Sequence, residues 1–258
     1  ELGLVNPKTK INTKGPIRIG GHKINDYRSN GPELPVWEII TESSNLGTAR
    51  IAKMIGPEKQ REFLSSLGFS KPTTIEMIEA NGGKPLLPKR WNELETMTIS
   101  YGHGLSATPL HLATGYATLA NGGRLVNPTL LQEVKPVLGP RVISKEVAEN
   151  SLAMLRGVVT GGTASLADVD GYFVGGKTGT ADKPSSQGGY DKEKNITNFA
   201  SIFPINEPKY VLVVTLDEAQ DTSGPEPKRT AGWTAVPVSA EIIARVAPLL
   251  GLLSLIHI

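Results

Sequence analysis

The stretch YFVGGKTGTAD, Tyr172 to Asp182, holds the key to this chain. A β-type run enters it, two glycines follow, and Lys177 is set between them and Thr178-Gly179-Thr180. A phosphate-binding loop needs G-x-x-x-x-G-K-[S/T] opening a helix. Here only Gly175-Gly176 precede the lysine and a polar segment follows, so that reading fails. A tight hairpin turn prefers Asn-Gly or Asp-Gly, whereas KTGTA stays β-type on both sides of Gly179. Glycine inside a strand often marks close approach of another molecule to the backbone. A cation, two hydroxyls and an accessible backbone on one strand edge suit an anionic substrate with a carbonyl to polarise. The plain turn stands as the alternative.

The 258 residues suffice for one large domain or two small ones with a real core. With 39% hydrophobic and 20% charged residues, the composition is that of an ordinary globular domain. A net charge of +2, from 27 basic and 25 acidic residues, gives no footprint for a nucleic-acid partner. There is no cysteine, which excludes disulfides, thiol catalysis and cysteine-held metal. The four histidines (His22, His103, His111 and His257) form no metal-binding spacing, so a metal centre is not expected. No apolar run approaches the roughly 20 residues of a membrane span.

Before the lysine stretch the texture is mostly helical. The first 35 residues suggest short strands and loops, with the opening ELGLVNPKTKI looking like the tail of a helix. Helical spacing follows over Val36–Ile40 and Leu46–Ile55, and Pro57 restarts a helix that Gly68 ends. TPLHLATGYATLANGG predicts a helix capped by Thr108, with Leu110, Ala113, Ala117 and Leu119 as its apolar stripe. SKEVAENSLAMLRGVV predicts another, capped by Ser144. Beyond it YFVGG, FASIFP and YVLVVTLDE are β-type runs, with DKPSSQGGYDKEKN as a polar loop between the first two. A helix over Ala235–Leu250 closes the chain. The order predicts an α+β fold: a helical part, then an antiparallel sheet whose strand at Phe173–Thr180 pairs with Asn198–Phe203, and that with Tyr210–Leu216.

A second motif, Ser43-Ser44-Asn45, opens the helix at Leu46. An N-cap accounts for one of the three polar residues. The others can project a hydroxyl and an amide for proton relay and substrate hydrogen bonds.

S-x-N followed at a distance by K-T-G is part of the motif set of penicillin-binding proteins and serine β-lactamases. In these residues the chain resembles the transpeptidase domain of class B penicillin-binding proteins, most like the division-type peptidoglycan D,D-transpeptidase. Further residues carry the resemblance: GHGLSATPLHLA (Gly102–Ala113), GVVTGGTA (Gly157–Ala164) and NFASIFPINEPKYVLVVTLDE (Asn198–Glu218). It covers nearly all of residues 1–250, so the expected division is a partial transpeptidase domain over 1–251 and a tail, 252–258, of foreign character. One departure matters. The family's nucleophilic serine lies in Ser-x-x-Lys, and no serine here has lysine three positions on. The expectation is a chain that starts just after the catalytic helix, N-terminally incomplete and inactive alone.

The resemblance implies roles by position. Ser43 relays protons toward the leaving amine, and Asn45 hydrogen-bonds the substrate and the upstream lysine. Lys177 supplies positive potential, and Thr178 and Thr180 bind the substrate carboxylate, the Thr180 N–H also serving the oxyanion. Gly179 keeps the strand flat against the acyl group, and Ser43 and Lys177 are expected to face one cleft. His103 is expected in the cleft wall rather than as a base. Implied ligands are stem peptides ending in D-Ala-D-Ala and β-lactams; implied partners are divisome or glycosyltransferase proteins. The implied place is the periplasmic face of the bacterial inner membrane. Alternatives are a serine β-lactamase, separable by measured deacylation, and a non-catalytic sensor or scaffold domain.

Overall fold

The computed structural model describes residues 1–132, 139–185, 189–252 and 254. They fall into two compact units, Glu1–Met154 and Leu155–Ile258.

In the first unit, β1 (Lys10–Asn12) pairs antiparallel with β4 (Glu33–Pro35), and β2 (Ile17–Ile19) with β3 (His22–Ile24). Residues 1–9 are not the predicted helix tail but bends and a turn, in which the Thr9 N–H bonds Asn6 O. Asn6 competes for local backbone bonds with its own side chain, which accepts from the Lys8 N–H at 2.9 Å. Pro35 leads directly into α1 (Val36–Thr41), followed by α2 (Asn45–Ile55) and α3 (Pro57–Ser66).

The next helix, α4 (Glu93–Ser100), was missed in the sequence although its signal is legible in Asn92-Glu-Leu-Glu95. Asn92 caps it, accepting from Leu94 N–H, and the Glu95 carboxylate accepts from Asn92 N–H, a complete capping box. Two apolar clusters hold these pieces: Ile11, Leu34, Val36 and Ile39 in one, Ile24, Leu46, Ala49 and Met97 in the other.

In α5 (Pro109–Ala120) the Thr108 cap is as predicted, but the buried residues are His111 and Thr118 rather than the predicted apolar stripe. Polar groups can be buried there because each is satisfied. The His111 ring nitrogens lie 2.7 Å from the Thr108 hydroxyl and 2.8 Å from the Lys71 carbonyl, and Thr118 donates to Thr114 O at 2.9 Å. The unit ends within α6 (Lys145–Gly161), whose Val147 N–H bonds the predicted cap, Ser144.

In the second unit β5 (Gly175–Pro184), β6 (Tyr190–Phe203) and β7 (Tyr210–Asp217) form an antiparallel sheet in that order. The register joins Lys177 to Ala200, Thr180 to Thr197 and Phe203 to Tyr210, so the predicted pairing holds. Of the predicted polar loop, 182–195, residues 182–184 and 190–195 are strand, and 186–188 lie outside the described residues. β5 runs on to Pro184 and β6 starts at Tyr190, with a register shift at Asp182/Lys183. The paired backbone outweighs the polar composition there, and Lys183 gains ion pairs with Asp217 and Glu218. β5 and β7 are the two edges among the described residues. α7 (Ala235–Val246) ends one turn earlier than predicted and packs on the sheet over a core of Val158, Val174, Phe199, Ile202, Val236 and Ile243. Of the predicted tail, Leu252 is buried and bonds Ala247 O through its N–H. Residues 253 and 255–258 lie outside those described.

Candidate active site

Ser43, Ser44 and Asn45 belong to the first unit, Lys177 to Thr180 to the second. The geometry of each group follows from its own surroundings.

The three polar residues at the start of α2 divide three tasks. The Ser43 N–H bonds Ile40 O and the Ser44 N–H bonds Ile39 O, the bond pattern of a Schellman motif that ends α1. Ser43 therefore occupies the position where glycine is usual, at φ 58°. A side chain there costs about 1 kcal/mol. Ser44, which is 1% exposed, is the N-cap: its hydroxyl accepts from Gly47 N–H at 3.0 Å. Asn45 lies just inside the helix and donates its amide to Asn25 O at 3.1 Å.

A carboxylate that the sequence reading overlooked fastens this corner. Asp26 accepts from the Ser44 hydroxyl at 2.7 Å through one oxygen and from Leu46 N–H at 2.8 Å through the other. An anion at a helix N-terminus is favoured by the unpaired N–H groups and the helix dipole. Only the fold brings Asp26 there, because 18 residues separate it from Ser44. With Ser44 engaged by both Asp26 and Gly47, the cap leaves Ser43 as the exposed hydroxyl of the pair.

In β5, alternate residues face opposite sides, so Lys177 and Gly179 share one face and Thr178 and Thr180 the other. The Lys177 ammonium donates to Thr178 O at 3.1 Å and reaches the Thr178 hydroxyl at 3.4 Å. Burial, which disfavours the charged form, lowers its pKa to about 8. The Thr178 hydroxyl lies 2.7 Å from that of Thr163, and the Thr180 hydroxyl accepts from Ala231 N–H at 3.0 Å.

The glycines have a cause inside the chain. A Cβ on Gly176 would lie 2.4 Å from Ala200 O and 2.8 Å from the Phe199 ring; one on Gly179 would lie 2.6 Å from the Asn198 amide oxygen. Neighbouring β6 already fills the space, before any ligand arrives. Gly176→Ala meets rigid backbone and is expected to destabilise by about 1–3 kcal/mol, whereas Gly179→Ala meets a side chain that can swing aside and should cost less. Urea unfolding of the two variants checks this order, and the reverse order would contradict it.

Residues 1–243 match the family model described as penicillin binding protein transpeptidase domain. The chain belongs to this family. It is 32% identical, over 97% of its length and 44% of the relative's, to a probable peptidoglycan D,D-transpeptidase FtsI of Caulobacter vibrioides. It is also 32% identical to the peptidoglycan D,D-transpeptidase FtsI of Escherichia coli K12, over 85% of this chain and 37% of that protein. The chain thus spans less than half the length of these relatives. Among solved structures, it resembles the apo transpeptidase domain of Burkholderia pseudomallei penicillin-binding protein 3, with a TM-score of 0.87, 33% identity and coverage of 97% of this chain and 75% of that one. Penicillin-binding protein 3 of Mycobacterium tuberculosis, solved with aztreonam, matches with a TM-score of 0.82 and 27% identity over 96% of this chain and 59% of that one. Both structures share the α+β architecture with its antiparallel sheet. Among the described residues no acidic, histidine or cysteine cluster could hold a metal ion, and no helix is long and apolar enough to cross a membrane.

Proposed function

We propose that this chain is the penicillin-binding part of a serine-type peptidoglycan D,D-transpeptidase that joins stem peptides at the division site. The observation that carries the proposal is the outer strand β5, where an ammonium with lowered pKa lies against Thr178, two residues from Thr180. Such an edge recognises an acceptor-only group, the terminal carboxylate of D-Ala-D-Ala or the carboxylate of a β-lactam. An extended peptide can lie along the same edge and use its main-chain groups.

In this mechanism a serine from a Ser-x-x-Lys segment attacks the carbonyl of the penultimate D-Ala. The C–N bond to the terminal D-Ala breaks, and the proton reaches the leaving amine through the Ser43 hydroxyl. Asn45, its NH2 on Asn25 O, presents its amide oxygen to the substrate. Lys177 stabilises the developing negative charge, and the Thr180 N–H acts as an oxyanion donor. The acyl group then passes to the amine of a second stem peptide, which restores the serine. We place this activity on the outer face of the bacterial cytoplasmic membrane, with divisome or glycosyltransferase proteins as partners. Residues 1–251 are a partial transpeptidase domain in this reading.

Fluorescent penicillin separates the outcomes. The 258-residue chain alone, with no Ser-x-x-Lys, is expected to form no covalent adduct. The chain joined to a relative's upstream Ser-x-x-Lys segment is expected to form one per molecule and to release D-Ala from a D-Ala-D-Ala peptide. A stoichiometric adduct on the chain alone would place the nucleophile within it and overturn these assignments.

A further inference from the structure

Thr163 lies two residues past the end of α6, and its hydroxyl is 2.7 Å from that of Thr178. A threonine hydroxyl has one proton and two lone pairs. Whichever of the two donates in this bond, the other keeps its proton. The Lys177 ammonium, which can only donate, approaches Thr178 from its own side at 3.4 Å. Thr180 likewise accepts, from Ala231 N–H at 3.0 Å, and keeps its proton. Among the described residues, neither the surplus proton of the Thr163–Thr178 pair nor that of Thr180 has a protein acceptor. Thr163 and Thr180 are exposed, so both protons are open to a ligand.

The same groups form a closed frame. A Cβ on Gly232 would stand 2.8 Å from Thr163 O, so the Thr163 backbone packs directly on the turn at Ala231–Trp233. That turn is held to β5 by the Ala231–Thr180 bond. Ala164, next to Thr163, is fully buried and donates its N–H to Val158 O at 3.1 Å. Thr163 is therefore anchored on both sides while its hydroxyl remains at the surface.

We infer that Thr163 is a positioning residue of the carboxylate site, fixing the Thr178 hydroxyl so that the pair offers one O–H to the carboxylate of a stem peptide or β-lactam. This rests on the transpeptidase reading above and adds a third hydroxyl to the two threonines of β5. A carboxylate can accept from the pair and from Thr180 at once, which an ester cannot do with equal strength.

The test compares benzylpenicillin with its methyl ester on the protein extended by the Ser-x-x-Lys segment. Thr163→Val removes the hydroxyl and keeps the shape. It is expected to weaken pre-acylation binding of the acid about 10-fold, the scale of one hydrogen bond to a charged group, with the acylation step and the reaction of the ester unchanged. Thr163→Ser is expected to restore wild-type behaviour. Thr163→Ala, which makes no demand on packing, replaces the valine variant if that one does not fold. Equal losses for acid and ester, or no loss for either, would overturn the inference while leaving the transpeptidase reading in place. Failure of the unmutated extended protein to react with benzylpenicillin would overturn both.

Discussion

In the extended, acylating form of the protein, Lys177→Ala is expected to slow acylation by penicillin about 10²–10³-fold, the loss that follows removal of a main electrostatic element of a site. The Lys177 charge is held partly out of water, where its field is less screened than at the surface. That burial also sets a pH signature. With a pKa near 8, Lys177 loses its proton just above neutrality, so acylation should fall as the pH rises through about 8. Lys177→Arg, whose guanidinium stays charged throughout, should lose that alkaline decline even if its absolute rate is lower.

Stability runs the other way. Unfolded lysine titrates near 10.5, so between about 8 and 10.5 the unfolded chain binds the proton that the folded chain has released. Stability contributed by this group therefore rises with pH across that window. Lys177→Met should be more stable than the parent at pH 7, with the difference closing by about pH 10.5. Rates unaffected by Lys177→Ala, or a parent profile flat through pH 8, would defeat the role given to this lysine.

Ser43→Gly is expected to separate activity from stability. Ser43 stands at φ 58°, where glycine carries no Cβ penalty. Relief of about 1 kcal/mol is offset in part by the greater freedom of glycine in the unfolded chain. Thermal melting should therefore hold or rise slightly. Acylation should fall about 10²–10⁴-fold, the range for loss of a positioned proton-transfer group. Ser43→Ala should show the same kinetic loss without relief of strain. A Ser43→Gly variant that keeps its acylation rate would remove Ser43 from the mechanism. One that melts well below the parent would contradict the strain at this position.

Ser44 shows why this division of labour could not be assigned from the sequence. Ser43, Ser44 and Asn45 are all good capping residues, and local preference does not choose among them. The choice is made by Asp26, which engages the Ser44 hydroxyl and the Leu46 N–H from a separate loop.

Local chemistry was enough for much else. Pro57, Thr108, Pro109 and Ser144 mark helix starts because each acts on the first turn that follows it. The β5–β6–β7 order follows from three apolar runs in succession, since antiparallel neighbours need only short connections. The S-x-N and K-T-G residues were visible because they are contiguous, and with them the family.

Tertiary structure decided what depends on distant partners. The polar stretches at 182–184 and 190–195 became strand because strand pairing and the Lys183 ion pairs outweigh their loop-like composition. On α5, His111 and Thr118 are buried because the Lys71 carbonyl, the Thr108 hydroxyl and the Thr114 carbonyl satisfy them. Gly176, beside Lys177, is required by Phe199 and Ala200 on the neighbouring strand, and Gly179 leaves room for the Asn198 side chain. Asp26 carries no motif of its own, and Thr163 stands in the GVVTGGTA segment with nothing there to show its partner. Their importance comes from hydrogen bonds spanning 18 and 15 residues, and a contact that the chain makes only by folding back on itself leaves no periodic trace in the sequence.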